Sequence, residues 1–450
     1  MKKKFLRGVL GLRSLLICVA LRSCKLLAIA FFSCALISCG SRPAKDGLAF
    51  TLKNGVPVYY KNVDSTRIAS VVVCAKGGTL LFPRDQSGIE KELFELMSHG
   101  GWKYHYKDLT KLSYDKNISI VSSSSYAGSS LSVSCISSYF DLALDALLDC
   151  FLNPSFDQTE YENIMTECDQ EIQRRSNDPE SLLFYTMNKE IYKNHPLGTS
   201  ASVLPESRAN MTMENLKAHY KKIIDSRRLF VVAAGDVNLK KLRGALEKSL
   251  AKVSAGQEEF ALPKIPEISI SADKLSLTSP ALPKASGHIA LVFKSPSVFS
   301  EDLIVARLAA SMYNESLYNV IRSKHGACYT PSASVGFSPA PYGMVFLYRV
   351  SDMKNAASYI PEAEENFLQS DIEGKLNGYI KKYINSAYQN QMTCSSIASR
   401  SATALLTFDD IDGFDKLAAA AKNVTADDVR RVFRQYFQSN DKRIFEISGE

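Results

Sequence analysis

The feature that most constrains this chain is a Pro- and polar-rich stretch, residues 253–275, which carries Pro263 and Pro266 and neither a helical nor a strand period. It lies just past the middle of 450 residues, and each flank is long enough for its own hydrophobic core. In the first half, Phe50-Thr51-Leu52 and Val56-Pro57-Val58-Tyr59-Tyr60 flank Asn54-Gly55 and predict a hairpin. Residues 68–75 read as a strand, 88–99 as a helix, and 129–137 as a half-buried strand that turns Leu131, Val133 and Cys135 to one side. Helical spacing runs over 142–152 until Asn153-Pro154, then over 158–175, 180–193 and 212–225, and 229–234 reads as a strand. The second half repeats the mixture: a strand at 289–293, a helix at 303–318 leading to Arg322, and a hairpin of 328–335 with 344–350. Helices at 356–368, 373–391, 397–406, 412–421 and 425–437 follow, then a last strand at 443–447. The pattern predicts an α+β protein of two similar domains, 48–252 and 276–450, joined by the 253–275 linker.

Charge is concentrated at the start. Residues 1–38 hold seven basic side chains (Lys2, Lys3, Lys4, Arg7, Arg13, Arg22, Lys25) and no acidic one. Taking these seven from the 54 basic residues leaves 47, equal to the 47 acidic residues. The formal charge of +7 therefore belongs to the leader, and the rest carries no nucleic-acid footprint. The apolar run at 26–37 is short for a bilayer span and reads as the core of a signal peptide, residues 1–38. It ends in Leu36-Ile37-Ser38-Cys39-Gly40, which resembles a bacterial lipobox. Cys39 is then expected to be the lipidated first residue, with 39–47 a tether. The globular part would sit outside the cytoplasm, anchored to a membrane of the bacterial cell envelope. An earlier apolar patch at 15–21 leaves the start codon open.

After Cys39 come Cys74, Cys135, Cys150, Cys168, Cys328 and Cys394, none in a C-x-x-C pair and each in an apolar stretch, so buried free thiols are expected. The six His include no i, i+4 pair, so no local His-based zinc motif exists.

Residues 88–101 read Gly88-Ile89-Glu90-Lys91-Glu92-Leu93-Phe94-Glu95-Leu96-Met97-Ser98-His99-Gly100-Gly101. With Leu52-Lys53-Asn54-Gly55, Asn153-Pro154-Ser155-Phe156, His195-Pro196-Leu197-Gly198 and Thr425-Ala426-Asp427-Asp428-Val429 in order, the chain resembles the pitrilysin/insulinase zinc peptidases, in the branch of the mitochondrial processing peptidase. The resemblance spans about 48–448. It implies two domains, each a mostly antiparallel sheet with helices on one face, and two chains that close around unfolded peptides. In that family the helix reads H-x-x-E-H, with two His on zinc and the Glu as general base. Here those positions hold Lys91, Phe94 and Glu95. A protonated Lys cannot ligate zinc and a Phe cannot take a proton from water. The family's third ligand corresponds to Glu171, 76 residues after Glu95. A shifted site of Glu95, His99 and Glu171 is the alternative that would keep a metal.

A second constellation is intact. The resemblance implies that Arg322 and Tyr329, seven residues apart, contact bound peptide. A guanidinium can fork onto carbonyls and a phenol can donate to an oxyanion. The expected function is a catalytically silent lipoprotein subunit. It would hold no cofactor itself and would contribute peptide binding to a zinc-bearing partner chain of the same family. A non-enzymatic peptide-binding or scaffolding lipoprotein, and an active peptidase with an atypical metal site, remain open at this level.

Overall fold

The structure is a computed structural model that describes residues 47–450 apart from 65 and 258; the leader and Cys39 lie outside the described residues. The described residues form one compact unit. The first half builds a six-stranded sheet from β1 (Gly47–Thr51), β2 (Pro57–Lys61), β3 (Ile68–Lys76), β4 (Ser119–Ser124), β5 (Gly128–Ile136) and β6 (Leu229–Gly235), in the order β1-β2-β6-β3-β5-β4. The second half builds a five-stranded sheet from β7 (Lys274–Thr278), β8 (Gly287–Lys294), β9 (Cys328–Val335), β10 (Tyr342–Val350) and β11 (Lys442–Ser448), in the order β7-β11-β8-β10-β9. Each sheet has one parallel pair, β2 with β6 and β7 with β11, and is otherwise antiparallel. Without β1 the two strand orders superimpose, so the halves repeat one topology. This is the expected α+β architecture.

Local chemistry supports the elements. The Asn54-Gly55 turn closes with Leu52 N–H donating to Val56 at 2.9 Å, while the Asn54 amide donates to the carbonyls of Leu250 and Val253. Asp157 caps the helix Gln158–Asn177 by accepting from Thr159 and Glu160, and Asp178 caps the next helix, Pro179–Ile191. All six described cysteines are free and buried. Among the described residues no helix is long and apolar enough to cross a membrane.

The central strands are buried without alternation: seven consecutive residues in each of β3, β6 and β8. Since successive side chains point to opposite faces, both faces of each sheet must be covered. One face of each carries helices from the same half, such as Phe140–Leu152 on β5 and Asp302–Leu317 against Ile289, Leu291 and Phe293. The other face is covered by a helix from the opposite half. Ala398, Ala402 and Leu405, on the helix Cys394–Phe408, pack on Val72, Cys74, Phe230 and Val232 of the first sheet. Reciprocally, Leu183, Met187 and Ile191 of Pro179–Ile191 pack on Ala290, Val292, Phe346 and Phe445 of the second. The approach is close. Gly235, at φ +89, would place a Cβ 2.7 Å from Cys394 Sγ. The Tyr192 hydroxyl donates to the Ala340 carbonyl at 3.0 Å across the same junction.

This exchange predicts that damage to a C-terminal helix loosens the N-terminal sheet. Leu405→Ala should cost about 2–4 kcal/mol. Hydrogen exchange should show lost protection in β3 and β6 as well as in the helix; loss confined to the helix itself would contradict the exchange.

Candidate functional site

The helix Ile89–Ser98 starts at Gly88, whose φ of 89° and missing side chain let Val203 pack where a Cβ would stand. Gly88 N–H also donates to Ser200 at 3.1 Å, so the helix is seated on the 200–203 loop. Lys91 turns its ammonium to the neighbouring carboxylate, with Nζ 2.8 Å from Glu92 Oε1. Glu92 is 3% exposed. Burial raises the Glu92 carboxyl above the usual carboxylate range, against the pull of Lys91. For Lys91, burial works downward, but the charge and hydrogen bond of Glu92 outweigh it and raise the ammonium. The Cys168 thiol beside them is pushed up to about 12, by burial first and then by Glu92. Phe94 is fully buried and meets Phe151 edge-on at 6.2 Å, turned away from solvent.

One turn on, Glu95 accepts a hydrogen bond from the Ser122 hydroxyl of β4 at 2.5 Å and lies 3.6 Å from His99 Nε2. His99 beside it, then Ser122, hold the Glu95 carboxyl down at about 2 in spite of burial. His99 Nδ1 lies 2.8 Å from Glu160 Oε2, and its ring stacks on Tyr106 at 4.7 Å. Burial acts to lower the imidazole; the contacts with Glu95 and Glu160 outweigh it and raise it.

Glu171 stands on the helix Gln158–Asn177 and is gripped by Arg174 through two 2.8 Å hydrogen bonds and by Arg175 at 2.6 Å. Arg174 first, then Arg175, bring its carboxyl down to about 2. The structure thus gathers Lys91, Glu95 and Glu171 around one cavity of about 350 Å³, together with Glu92, Glu167 and Arg175. The shifted trio of Glu95, His99 and Glu171 is not assembled, because Glu160 rather than Glu171 meets the imidazole. The family's zinc does not fit this site. An ammonium occupies the first ligand position, an apolar ring replaces the base, Glu95 replaces the second imidazole, and Glu95 and the retained Glu171 are already bound by protein donors. A second cavity of about 460 Å³ adjoins it, sharing Arg175 and Val203, with walls of Ile172, Leu182, Phe184 and Leu197.

In the second half, the helix Asp302–Leu317 widens into a π turn, Tyr318–Lys324, and Gly326 at φ 61 turns the chain into β9. This brings Arg322 and Tyr329 together as expected, with the guanidinium 4.8 Å from the Tyr329 ring centre. Tyr329 is 58% exposed, on the edge strand of its sheet, and so is not a core residue. The Tyr318 ring also lies under the guanidinium, its centre 5.1 Å away. Tyr318, Glu92 and Glu160 were missed by sequence reading. For Tyr318 a signal existed, since an aromatic four residues before an Arg on a helix shares its face.

Two similar sheets with exchanged helices and an altered metal helix define a two-domain peptidase-type fold. Residues 58–203 match the model described as "Insulinase (Peptidase family M16)" and residues 210–370 the model described as "Peptidase M16 inactive domain". The chain belongs to peptidase family M16. A Helicobacter pylori protein named "Non-peptidase homolog YmxG" is 25% identical over 195 residues, 42% of this chain and 45% of that protein, so the match spans less than half the relative's length. Among solved structures, a protease from Helicobacter pylori matches with a TM-score of 0.76 at 15% identity, covering 90% of this chain and 99% of that one. The periplasmic protease PqqL from Escherichia coli matches with a TM-score of 0.75 at 15% identity, covering 91% of this chain but 46% of that one.

The His99–Glu95 contact sets a pH dependence. Glu95, lowered from 4.5 to about 2, stabilises the fold above about pH 4.5, and this is lost as pH falls toward 2. His99, raised from 6.5, stabilises below 6.5, and this is lost as pH rises through its folded value. The wild-type advantage over Glu95→Gln should therefore be largest between about pH 4.5 and 6.5 and shrink on both sides, measured by denaturant unfolding. An NMR titration should place His99 above 6.5 in wild type and lower in Glu95→Gln. An advantage that grows above pH 8 would contradict this assignment.

Proposed function

We propose that this chain is a non-hydrolytic peptide-binding subunit of family M16 that acts beside a zinc-bearing chain of the same family, anchored to a bacterial envelope membrane through lipid on Cys39. The observation that carries the reading is the contrast between its two constellations. At the former metal position Lys91 is paired with buried Glu92 and Phe94 is sunk in the core. Tyr329 stands exposed and Arg322 half-buried beside it, both outside the core. Selection for structure alone would not require an exposed Tyr–Arg pair; selection for hydrolysis would not leave Lys91 and Phe94.

The surface suits an extended peptide. β4 is an edge strand whose outer backbone groups have no strand partner, and it runs beside Glu95 through Ser122. The cavity of about 460 Å³, which adjoins the one around Glu95, has room and, in Ile172, Leu182, Phe184 and Leu197, apolar wall for a large side chain. The name of the Helicobacter pylori relative, a non-peptidase homolog, agrees with a silent metal site.

The test is reconstitution with a zinc-bearing family member purified from the same membranes. This chain alone should cleave no unfolded peptide, and the pair should cleave in a chelator-sensitive way. Tyr329→Phe keeps the ring and removes one donor. The pair's turnover should then fall by about two to three orders of magnitude, the usual weight of an oxyanion donor. Its melting temperature should stay put, because the ring is exposed. Unchanged turnover with Tyr329→Phe and with Arg322→Ala would remove the in-trans role. Chelator-sensitive cleavage by this chain alone would overturn the silent-subunit reading.

A further inference from the structure

The guanidinium of Arg322 is held without a counter-ion. It lies over two rings, with its central carbon 5.1 Å from the Tyr318 ring centre and 4.8 Å from that of Tyr329. Among the described residues it is the cation that lies against two rings at once. Among the described residues no carboxylate or carbonyl accepts from it. The nearby acids are already engaged: Glu362 takes Lys324 at 2.5 Å and His325 at 2.8 Å, and Glu315 takes Lys375 at 2.7 Å. A guanidinium holds its five N–H donors in one plane, and two rings within about 6 Å limit the orientations that plane can take. Such an edge matches the two oxygens of a carboxylate as a fork. The π turn over Tyr318–Lys324, a poorer hydrogen-bonding geometry than an α-helix, is retained where these two side chains stand.

We propose that Tyr318, Arg322 and Tyr329 form a carboxylate clamp that selects peptides by an anionic group, with Tyr318 the positioning residue that fixes the plane of Arg322. The proposal rests on the peptide-binding reading above and names the feature of the peptide that is recognised. The carboxylate can be the free C-terminus of a peptide or an Asp or Glu side chain, and the clamp chemistry is the same for both. Tyr318 acts through Arg322, since its ring, 5.1 Å from the guanidinium, restricts an orientation that would otherwise be free in water.

The experiment uses the whole chain and three fluorescently labelled peptides of one unfolded sequence: a free acid without internal carboxylates, its C-terminal amide, and the amide with one internal Glu. In anisotropy titrations the free acid or the Glu-containing amide should bind at least about tenfold tighter than the plain amide, as expected for a bidentate charge-assisted contact. Which of the two gains identifies the source of the carboxylate. Arg322→Lys keeps the charge but loses the fork and should bring the ratio near one. Tyr318→Ala should lower the preferred peptide's affinity by about 3- to 30-fold and reduce the ratio, and Tyr318→Phe, which restores the ring, should recover most of it. Melting temperatures report whether each variant is folded. Equal binding of all three peptides overturns the clamp and leaves peptide binding standing. No binding of any peptide overturns both. A ratio unchanged in Tyr318→Ala overturns the positioning role.

Discussion

The structure depends on one constraint: each sheet has two apolar faces and only one set of helices of its own. Residues 69–75 of β3 and all of β6 are buried on both sides, as is most of β8. The remaining face of each sheet is closed by a helix lent from the other half, Cys394–Phe408 in one direction and Pro179–Ile191 in the other. Neither half can bury its sheet alone, so the two behave as one cooperative body. The lent helix Pro179–Ile191 also carries Leu182 and Phe184, which line the larger cavity, and directly follows the helix that holds Glu171. The geometry around the former metal position is therefore fixed by the junction between halves.

Within that frame the metal helix is electrostatically closed. Glu92, Glu95 and Glu171 each have a protein partner: Lys91, then Ser122 with His99, then Arg174 with Arg175. A buried carboxylate without a partner would cost several kcal/mol, and Lys91, at the first ligand position, offsets that cost with its single positive charge. A buried pair of this kind gives little net stability, but breaking it leaves Glu92 stranded. Zinc would have to displace these donors and would still lack the two imidazoles and the base. The proposed binding role falls instead to Arg322, half-buried and without an acidic partner among the described residues, beside exposed Tyr329.

Much of this was legible in the sequence, for physical reasons that can be named. The substitutions at Lys91, Phe94 and Glu95 needed no coordinates, because ligand and base chemistry depend on residue type. The seven-residue spacing of Arg322 and Tyr329 across a Gly-terminated helix foretold their meeting, and the structure puts the rings and guanidinium in contact. The helix exchange was not foreseen, although uninterrupted apolar runs at 71–75, 229–234 and 289–293 signal burial on both faces. β4 escaped because Ser119–Ser124 reads SIVSSS, with too few apolar residues to show a period. The pairing of His99 with Glu160 instead of Glu171 could not be read, since it depends on how two helices cross.

The most direct test of the central claim is the zinc content of the purified chain. Protein prepared without chelator, incubated with zinc and dialysed against metal-free buffer, should retain far less than one zinc per chain by elemental mass spectrometry, and Lys91→Ala should not raise it to one. One tightly held zinc per chain in the wild type would contradict the account, because it would mean that the residues around Lys91, Phe94 and Glu95 still assemble a metal site.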